Sequence, residues 1–362
     1  MTIDALFEPR IYLYQAPSSF HWELGERNLL TTGASLNNDE FKVKNKDYDV
    51  ATGVVTFGAW KADRITRAFY VQDEINLEPV TLNFGVRWDN PSDFGSQTSP
   101  KVNLLWKVAD TTNLKLSYGQ SFRAPTLNDL NWPSTPWAQG NPDLKPEKGE
   151  MYEMGLERAF GEKFLLRTSF FHQKVDDMIA WAPTGPANKW QPSNVNKVKT
   201  NGIELEGRIN FTRDFSIFIT PTYLDAEQHN MELRDALTSQ MEEVKRQTAY
   251  VPKYKVDLGL EWRNFFRREG LRLNLDAQYV DKTYQYYDNW AAFPAVSTDT
   301  KRLKDYTLVN IKLAQSFKNG EVFLGVDNLF DREYAHQFGF DINDQDYPMP
   351  GRAITAGTKI RF

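Results

Sequence analysis

Apolar and polar residues take turns along the whole chain. Val80, Leu82, Phe84, Val86 and Trp88 alternate with Thr81, Asn83, Gly85, Arg87 and Asp89. The same two-residue period runs through 114–118, 203–211, 256–262 and 271–279. It also closes the chain, where Ile354, Ala356, Thr358, Ile360 and Phe362 alternate with Thr355, Gly357, Lys359 and Arg361. A period of two puts successive side chains on opposite faces of a β-strand. Similar stretches lie near 5–15, 18–24, 29–43, 65–78, 99–108, 148–160, 163–181, 215–224, 306–317 and 321–330. The expected total is about 14–16 strands. The one trace of a helical period is Met231 to Val244, inside a connecting loop.

Alternation alone does not say which face meets water, because a soluble β-sandwich alternates too. Length argues for a membrane. Most of these stretches approach or exceed the roughly 9–11 residues of a tilted membrane strand, whereas soluble strands cluster at roughly 5–6. The connections then alternate between short and long. Those at 78–79, 109–112, 160–163, 212–214, 264–270 and 318–320 are short. Those at 90–99, 124–148, 182–197, 225–252, 282–305 and 331–351 are longer. Tight turns at one end and large loops at the other mark an outer-membrane barrel, and they place the C-terminus at the periplasmic end. Tyr70, Trp88, Trp106, Tyr118, Tyr152, Trp262, Tyr279 and Phe362 sit near strand ends, where aromatic girdles form. The expected fold class is all-β, a transmembrane antiparallel up-and-down β-barrel. A closed barrel has no free edge, so the last strand must pair and keep an apolar outer face.

Composition changes this picture little. The 362 residues carry a net charge of -5, which gives no electrostatic case for nucleic acid. There are no cysteines, hence no disulfide and no thiolate metal site. No apolar run nears the roughly 18 residues of a membrane helix. The start, MTIDALFEPR, has neither a basic n-region nor an apolar h-region, so it does not read as a signal peptide. No phosphate-cradling glycine loop stands out, nor a histidine paired with a nucleophile. Neither an enzyme nor a resident cofactor is expected.

Three stretches resemble the TonB-dependent outer-membrane receptors. The first is YGQSFRAPTLNDL (Tyr118 to Leu130), followed by GNPDLKPEKGEMYEMGL (Gly140 to Leu156). The second is VDNLFDREY (Val326 to Tyr334), and the third is the terminal PGRAITAGTKIRF. Softer matches are NVNKVKTNGIELEG (Asn194 to Gly207) and VPKYKVDLGL (Val251 to Leu260). The resemblance implies an outer-membrane transporter of a Gram-negative-type bacterium. Such a receptor imports a scarce small-molecule metal chelate with energy supplied through TonB. It also implies a barrel of roughly 22 strands with a plugged lumen. The family's N-terminal plug, with the segment that TonB grips, has no counterpart here. Residues 1–362 are therefore expected to be the C-terminal part of such a barrel, without plug or signal peptide. Thr355, Gly357, Ile360 and Phe362 resemble the C-terminal signal read by the outer-membrane assembly machinery.

Within the family, the haem-importing branch places an iron-ligating histidine between boxes like Phe122–Pro125 and Asn141–Leu144. This chain has none there; its histidines are His21, His172, His229 and His336. Haem is disfavoured. Cobalamin and ferric siderophore lead, with another ligand left open, and the layout is somewhat closer to cobalamin receptors. Candidate ligand contacts are the loop aromatics Trp132, Trp137, Trp181, Trp190, Tyr286, Tyr287 and Trp290. Their flat rings could stack on a corrin or a catechol, though each ring also fits packing of one loop on another. Arg123 and Pro125 are expected to shape the exit from strand to loop. Asp341, Asp344 and Asp346 offer oxygen ligands for calcium, but lack the spacing of an EF-hand loop and read as solvated. Two rivals stand beside the importer: a passive diffusion pore, and a soluble ligand-binding β protein such as a lectin.

Overall fold

Hydrogen bonding joins each long strand antiparallel to the next along the chain. The computed structural model describes residues 6–48, 55–182, 189–235, 237–238, 240–289, 291–292, 295–337 and 346–360. The first half comprises β1 (Leu6–Leu24), β2 (Asn28–Tyr48), β3 (Val55–Leu77), β4 (Val80–Pro91), β5 (Gln97–Ala109) and β6 (Thr112–Arg123). A short helix, α1 (Leu127–Asn131), precedes β7 (Glu147–Phe160), β8 (Phe164–Ala182), β9 (Gln191–Asn210) and β10 (Phe215–Asp235). Then come β11 (Gln240–Gln247), β12 (Tyr254–Arg263), β13 (Leu271–Val280), β14 (Thr283–Asn289) and β15 (Ser297–Leu303). The chain continues through β16 (Tyr306–Phe317), β17 (Gly320–Asp327), β18 (Ala335–Gln337), β19 (Tyr347–Pro348) and β20 (Ala353–Ile360). The main sheet has 16 strands in sequential order from β1 to β20, with β11 a branch on β10. The pairs β14–β15 and β18–β19 are separate two-stranded additions inside the long connections.

Register fixes the two faces. Leu82, Leu104, Leu116, Met154, Phe170, Ile203, Tyr223 and Tyr254 lie directly opposite one another across eight strands. This is the outer face. Its side chains remain exposed, as with Met154 at 46% and Leu324 at 50%, an arrangement favoured by lipid and costly in water. The other face is polar. Arg167 bridges Glu157 at 2.7 Å and Glu206 at 3.0 Å, and Arg272 pairs with Glu321 at 2.5 Å. The final strand obeys the same rule. Ile354, Ala356 and Thr358 face outward opposite Val326, Leu324 and Val322, while Thr355 and Gly357 face the lumen. Phe362 lies outside the described residues.

Aromatic pairs mark both rims of the apolar band. At the short-turn end Phe160 stacks on Phe164 at 5.2 Å, and Phe215 meets Trp262 at 5.2 Å. At the other end lie Phe69 with Trp88 at 6.2 Å and Tyr118 with Tyr152 at 4.8 Å. From Tyr152 to Phe160 the strand rises about 27 Å, which a tilt near 40° reduces to about 20 Å. That is close to the height of an outer-membrane hydrocarbon band.

Four expectations need correction. The stretches near 5–15 and 18–24 form one strand, β1, which runs through Pro17 opposite Ser35 of β2. Strand β3 begins at Val55, well before 65. Met231 to Val244 is not helical: β10 extends through it and turns back as β11, with Met231 opposite Glu243. Tyr70 belongs to no girdle, because it sits opposite Gly33 on the lumen side with its ring over the glycine.

Candidate functional site

All the long connections emerge at one end of the sheet, and three of them are fastened down by buried polar side chains. In the connection from β6 to β7, Pro125 is a fully buried residue. Its carbonyl accepts from the Arg64 guanidinium at 2.7 Å, and Arg64 also holds Asp93 at 2.8 Å. Arg123 reaches across to Glu147 at 2.9 Å. Glu147 is only 6% exposed and also accepts the Ile179 backbone N–H. Both Arg123 and Pro125 thus shape the loop exit, as expected. Thr126 then caps α1: its hydroxyl accepts from the Asp129 N–H at 3.0 Å and donates to the Asp129 carboxylate at 2.7 Å. The helix packs against β3 on one side and β9 on the other.

The segment Gly140 to Lys145 is held to β9. Asn141 donates to the Pro192 carbonyl at 2.9 Å. Asn194 makes three bonds to backbone: it accepts from Lys145 N–H at 2.9 Å, and its amide donates to the Lys145 and Asp177 carbonyls at 2.9 and 2.7 Å. A Cβ at Gly140 would lie 2.6 Å from the Trp132 nitrogen, so only glycine fits the approach there.

A second group of loops docks hairpin to hairpin. Glu232 on β10 accepts from Arg246 on β11, from Arg234 at 3.3 Å and from the Thr298 hydroxyl on β15 at 2.6 Å. Leu233, Val296 and Met241 form a small apolar contact between the same hairpins. The third group closes β17 against β20. Asn328 is buried in a left-handed turn (φ 48°); its amide donates to the Arg332 carbonyl at 2.9 Å and its oxygen accepts from the Arg332 N–H at 2.8 Å. Asp331 accepts from the Arg352 N–H at 2.7 Å.

The structure sorts the predicted aromatics into separate groups. Trp132 and Trp181 meet edge to face at 6.0 Å, and the Trp181 indole donates to Asp129 at 3.0 Å. These two hold loops together. Trp137 and Trp190 lie side by side through a backbone bond of 2.8 Å, and Trp137 is 79% exposed. Tyr286 lies apart on β14 beneath Arg246, whose guanidinium is 4.4 Å from the ring centroid. Burial pushes the Tyr286 hydroxyl up from its ordinary range, so it remains a donor. Tyr287 faces Asp299 across the hairpin. Trp290, Asp341 and Asp344 lie outside the described residues, and Asp346 pairs with Lys301 at 3.3 Å. The latch residues Arg64, Glu147, Asn194, Glu232 and Asn328 escaped sequence reasoning as functional positions. Glu147, Asn194 and Asn328 lie inside the matched motifs, whereas Arg64 and Glu232 lie outside them and carried no signal.

The chain matches the TonB dependent receptor-like β-barrel family over residues 6–329, and it belongs to that family. It is an outer-membrane β-barrel chain. Over 146 residues it is 37% identical to the vitamin B12 transporter BtuB of Vibrio vulnificus, covering 40% of this chain and 23% of that protein. Over 337 residues it is 26% identical to the ferrienterobactin receptor of Escherichia coli, covering 84% of this chain and 43% of that receptor. In fold it resembles the ferric enterobactin receptor of Pseudomonas aeruginosa, solved as a point mutant, with a TM-score of 0.74 at 18% identity. That match covers 98% of this chain and 54% of the receptor. The chain spans less than half the length of these curated relatives.

Proposed function

We propose that these strands are the C-terminal portion of the wall of a TonB-coupled importer. Its loops form part of the extracellular site for a scarce metal chelate, cobalamin or a ferric siderophore. The family match carries the reading. The latched loops support it, because a binding mouth must hold its aromatic contacts still against the entropy of long connections. Membership in a longer barrel is supported by the length of the relatives: the match to the ferrienterobactin receptor covers 43% of that protein.

Within the mouth, Trp137 and Trp190 are the rings best placed to stack on ligand, since they are exposed and backed by hydrogen-bonded chain. Tyr286, covered by Arg246, and Tyr287, on the opposite face of β14, lie apart from this pair. The partners follow: outer-membrane lipid around the band, the assembly machinery at the last strand, and TonB through a plug segment. The protein is not an enzyme on this reading; its relatives are named as transporters and receptors.

Uptake tests it. Cells carrying the gene are compared with cells deleted for it, using labelled cobalamin and labelled ferric enterobactin. Gene-dependent uptake of one ligand that stops when the proton gradient is collapsed is the expected result. Gene-dependent entry that survives the collapse would point to a passive pore instead.

A further inference from the structure

The turn between β12 and β13, at 264–270, is the longest of the short connections among the described residues, and it reads NFFRREG. Three of its residues other than glycine take left-handed backbone: Asn264 (φ 48°), Phe266 (φ 53°) and Arg267 (φ 59°). A bulky ring at positive φ is strained and persists only where its surroundings hold it. Here they do. The Asn264 amide donates to Asp214 on the next turn at 3.0 Å, and its oxygen accepts the Gly270 N–H at 3.2 Å. Gln315 on β16 donates to the Glu269 carbonyl at 2.9 Å. The turn is braced on both sides. What it holds out is Phe266, which at 80% is the most exposed large apolar side chain among the described residues.

Phe266 ends an unbroken run of rings. Phe211 meets Phe215 at 5.4 Å, and beyond the Phe215–Trp262 pair Phe265 meets Trp262 at 4.9 Å and Phe266 at 4.2 Å. The lower girdle thus continues out of the hydrocarbon band to the headgroup level of the periplasmic leaflet. Arg267 and Arg268 follow at once. Both are exposed, and neither forms an ion pair among the described residues. On the lumen side Glu261 is taken by Arg263 at 2.9 Å and Glu321 by Arg272. On this turn and the two beside it, at 211–214 and 318–319, Arg213, Arg267, Arg268 and Lys318 stand against Asp214 and Glu269. The outward positions next to them are Phe211, Phe215, Trp262, Leu271, Gln315 and Phe317, none of them charged. The turns under β1–β8 have the opposite balance, with Glu26, Glu78, Asp110 and Glu162 against Arg27 and Lys163.

We propose that the β12–β13 turn is a site for an anionic phospholipid of the periplasmic leaflet. Phe265 and Phe266 enter the boundary between headgroup and acyl chain, as rings at an interface do. Arg267 and Arg268 take the phosphate diester, whose oxygens the guanidinium fork matches. Arg213 and Lys318 on the flanking turns add positive potential, which favours a headgroup of net negative charge over a zwitterionic one. The exposed ring beside the arginines sets this apart from a site for free phosphate. Its continuity with the lipid-facing girdle sets it apart from a dock for an acidic protein.

The test uses the full receptor in nanodiscs of phosphatidylcholine doped with phosphatidylglycerol of the same chains. Lipid retained on the protein is read by native mass spectrometry. Wild type should retain phosphatidylglycerol above its share of the disc. Arg267→Gln with Arg268→Gln should lower that preference roughly fivefold per charge, about 25-fold for the pair. Retention in proportion to the disc by wild type would overturn the proposal, and this comparison stands even if the glutamine variant fails to fold. So would an unchanged preference in a glutamine variant whose heat-modifiable gel mobility shows a folded barrel. Glycerol phosphate should leave the lipid in place; complete displacement at matched concentration would overturn the part given to Phe266.

Discussion

Phe323 on β17 lies directly across from Gly357 on β20 and covers it, so that a Cβ at position 357 would fall 2.6 Å from the ring. The same lumen-side arrangement recurs at Tyr70 over Gly33, Phe171 over Gly202 and Phe218 over Gly259. A glycine in a strand leaves its backbone bare and its neighbours unpacked, and a cross-strand ring lying flat on it restores the contact. This gives Gly357 a structural reason to be glycine, beside any part it plays in assembly recognition. Gly357→Val should destabilise the barrel by about 1–3 kcal/mol through overpacking. Urea unfolding in detergent checks it, and Phe323→Ala should make the same substitution nearly neutral.

The two faces of β13 give a second test. Leu273 sits between Trp262 and Leu313 on the outer wall, whereas Asn274 sits between Glu261 and Lys312 in the lumen. Leu273→Arg, level with the Trp262 rim, should cost up to about 1 kcal/mol and impair assembly more than Asn274→Arg. Folded fractions after refolding into lipid vesicles measure the difference. Equal effects would mean the faces are reversed.

Asn194 fastens the β6–β7 loop without touching the membrane band. Asn194→Ala removes the bonds to the exposed backbone of Lys145 and the half-buried carbonyl of Asp177, a local cost of about 1–2 kcal/mol. Limited proteolysis should then cut between 124 and 146 faster than in wild type, while the assembled barrel keeps its heat-modifiable mobility.

Trp137 and Trp132 should separate binding from packing. Trp137→Ala removes an exposed ring and should leave stability unchanged while weakening ligand by about tenfold. Trp132→Ala removes the partner of Trp181 and should loosen the loop as Asn194→Ala does. Ligand titration beside proteolysis reads both.

The strand pattern was legible because lipid on one side and polar lumen on the other impose an unbroken period of two. Leu82 through Tyr254 line up across eight strands as alternation implies. What failed to show was structure fixed by contacts. Glu232, Arg234, Asp235, Glu242 and Glu243 mimic a solvated helix between Met231 and Val244, yet Glu232 is tied to Arg246 and Thr298 on neighbouring hairpin strands. Among the aromatics, composition could not tell Trp181, spent on Asp129, from Trp137, left in the open. The motifs around Asn194 and Asn328 were visible as a family resemblance, but their mechanism as latches needed coordinates.

The most direct test of the central claim is the intact mass of the protein taken from native outer membranes. The account predicts a mass well above that of the 362 residues, because the strands form part of a longer importer wall. A mass equal to that of the 362-residue chain, from a folded membrane-embedded barrel, would contradict it.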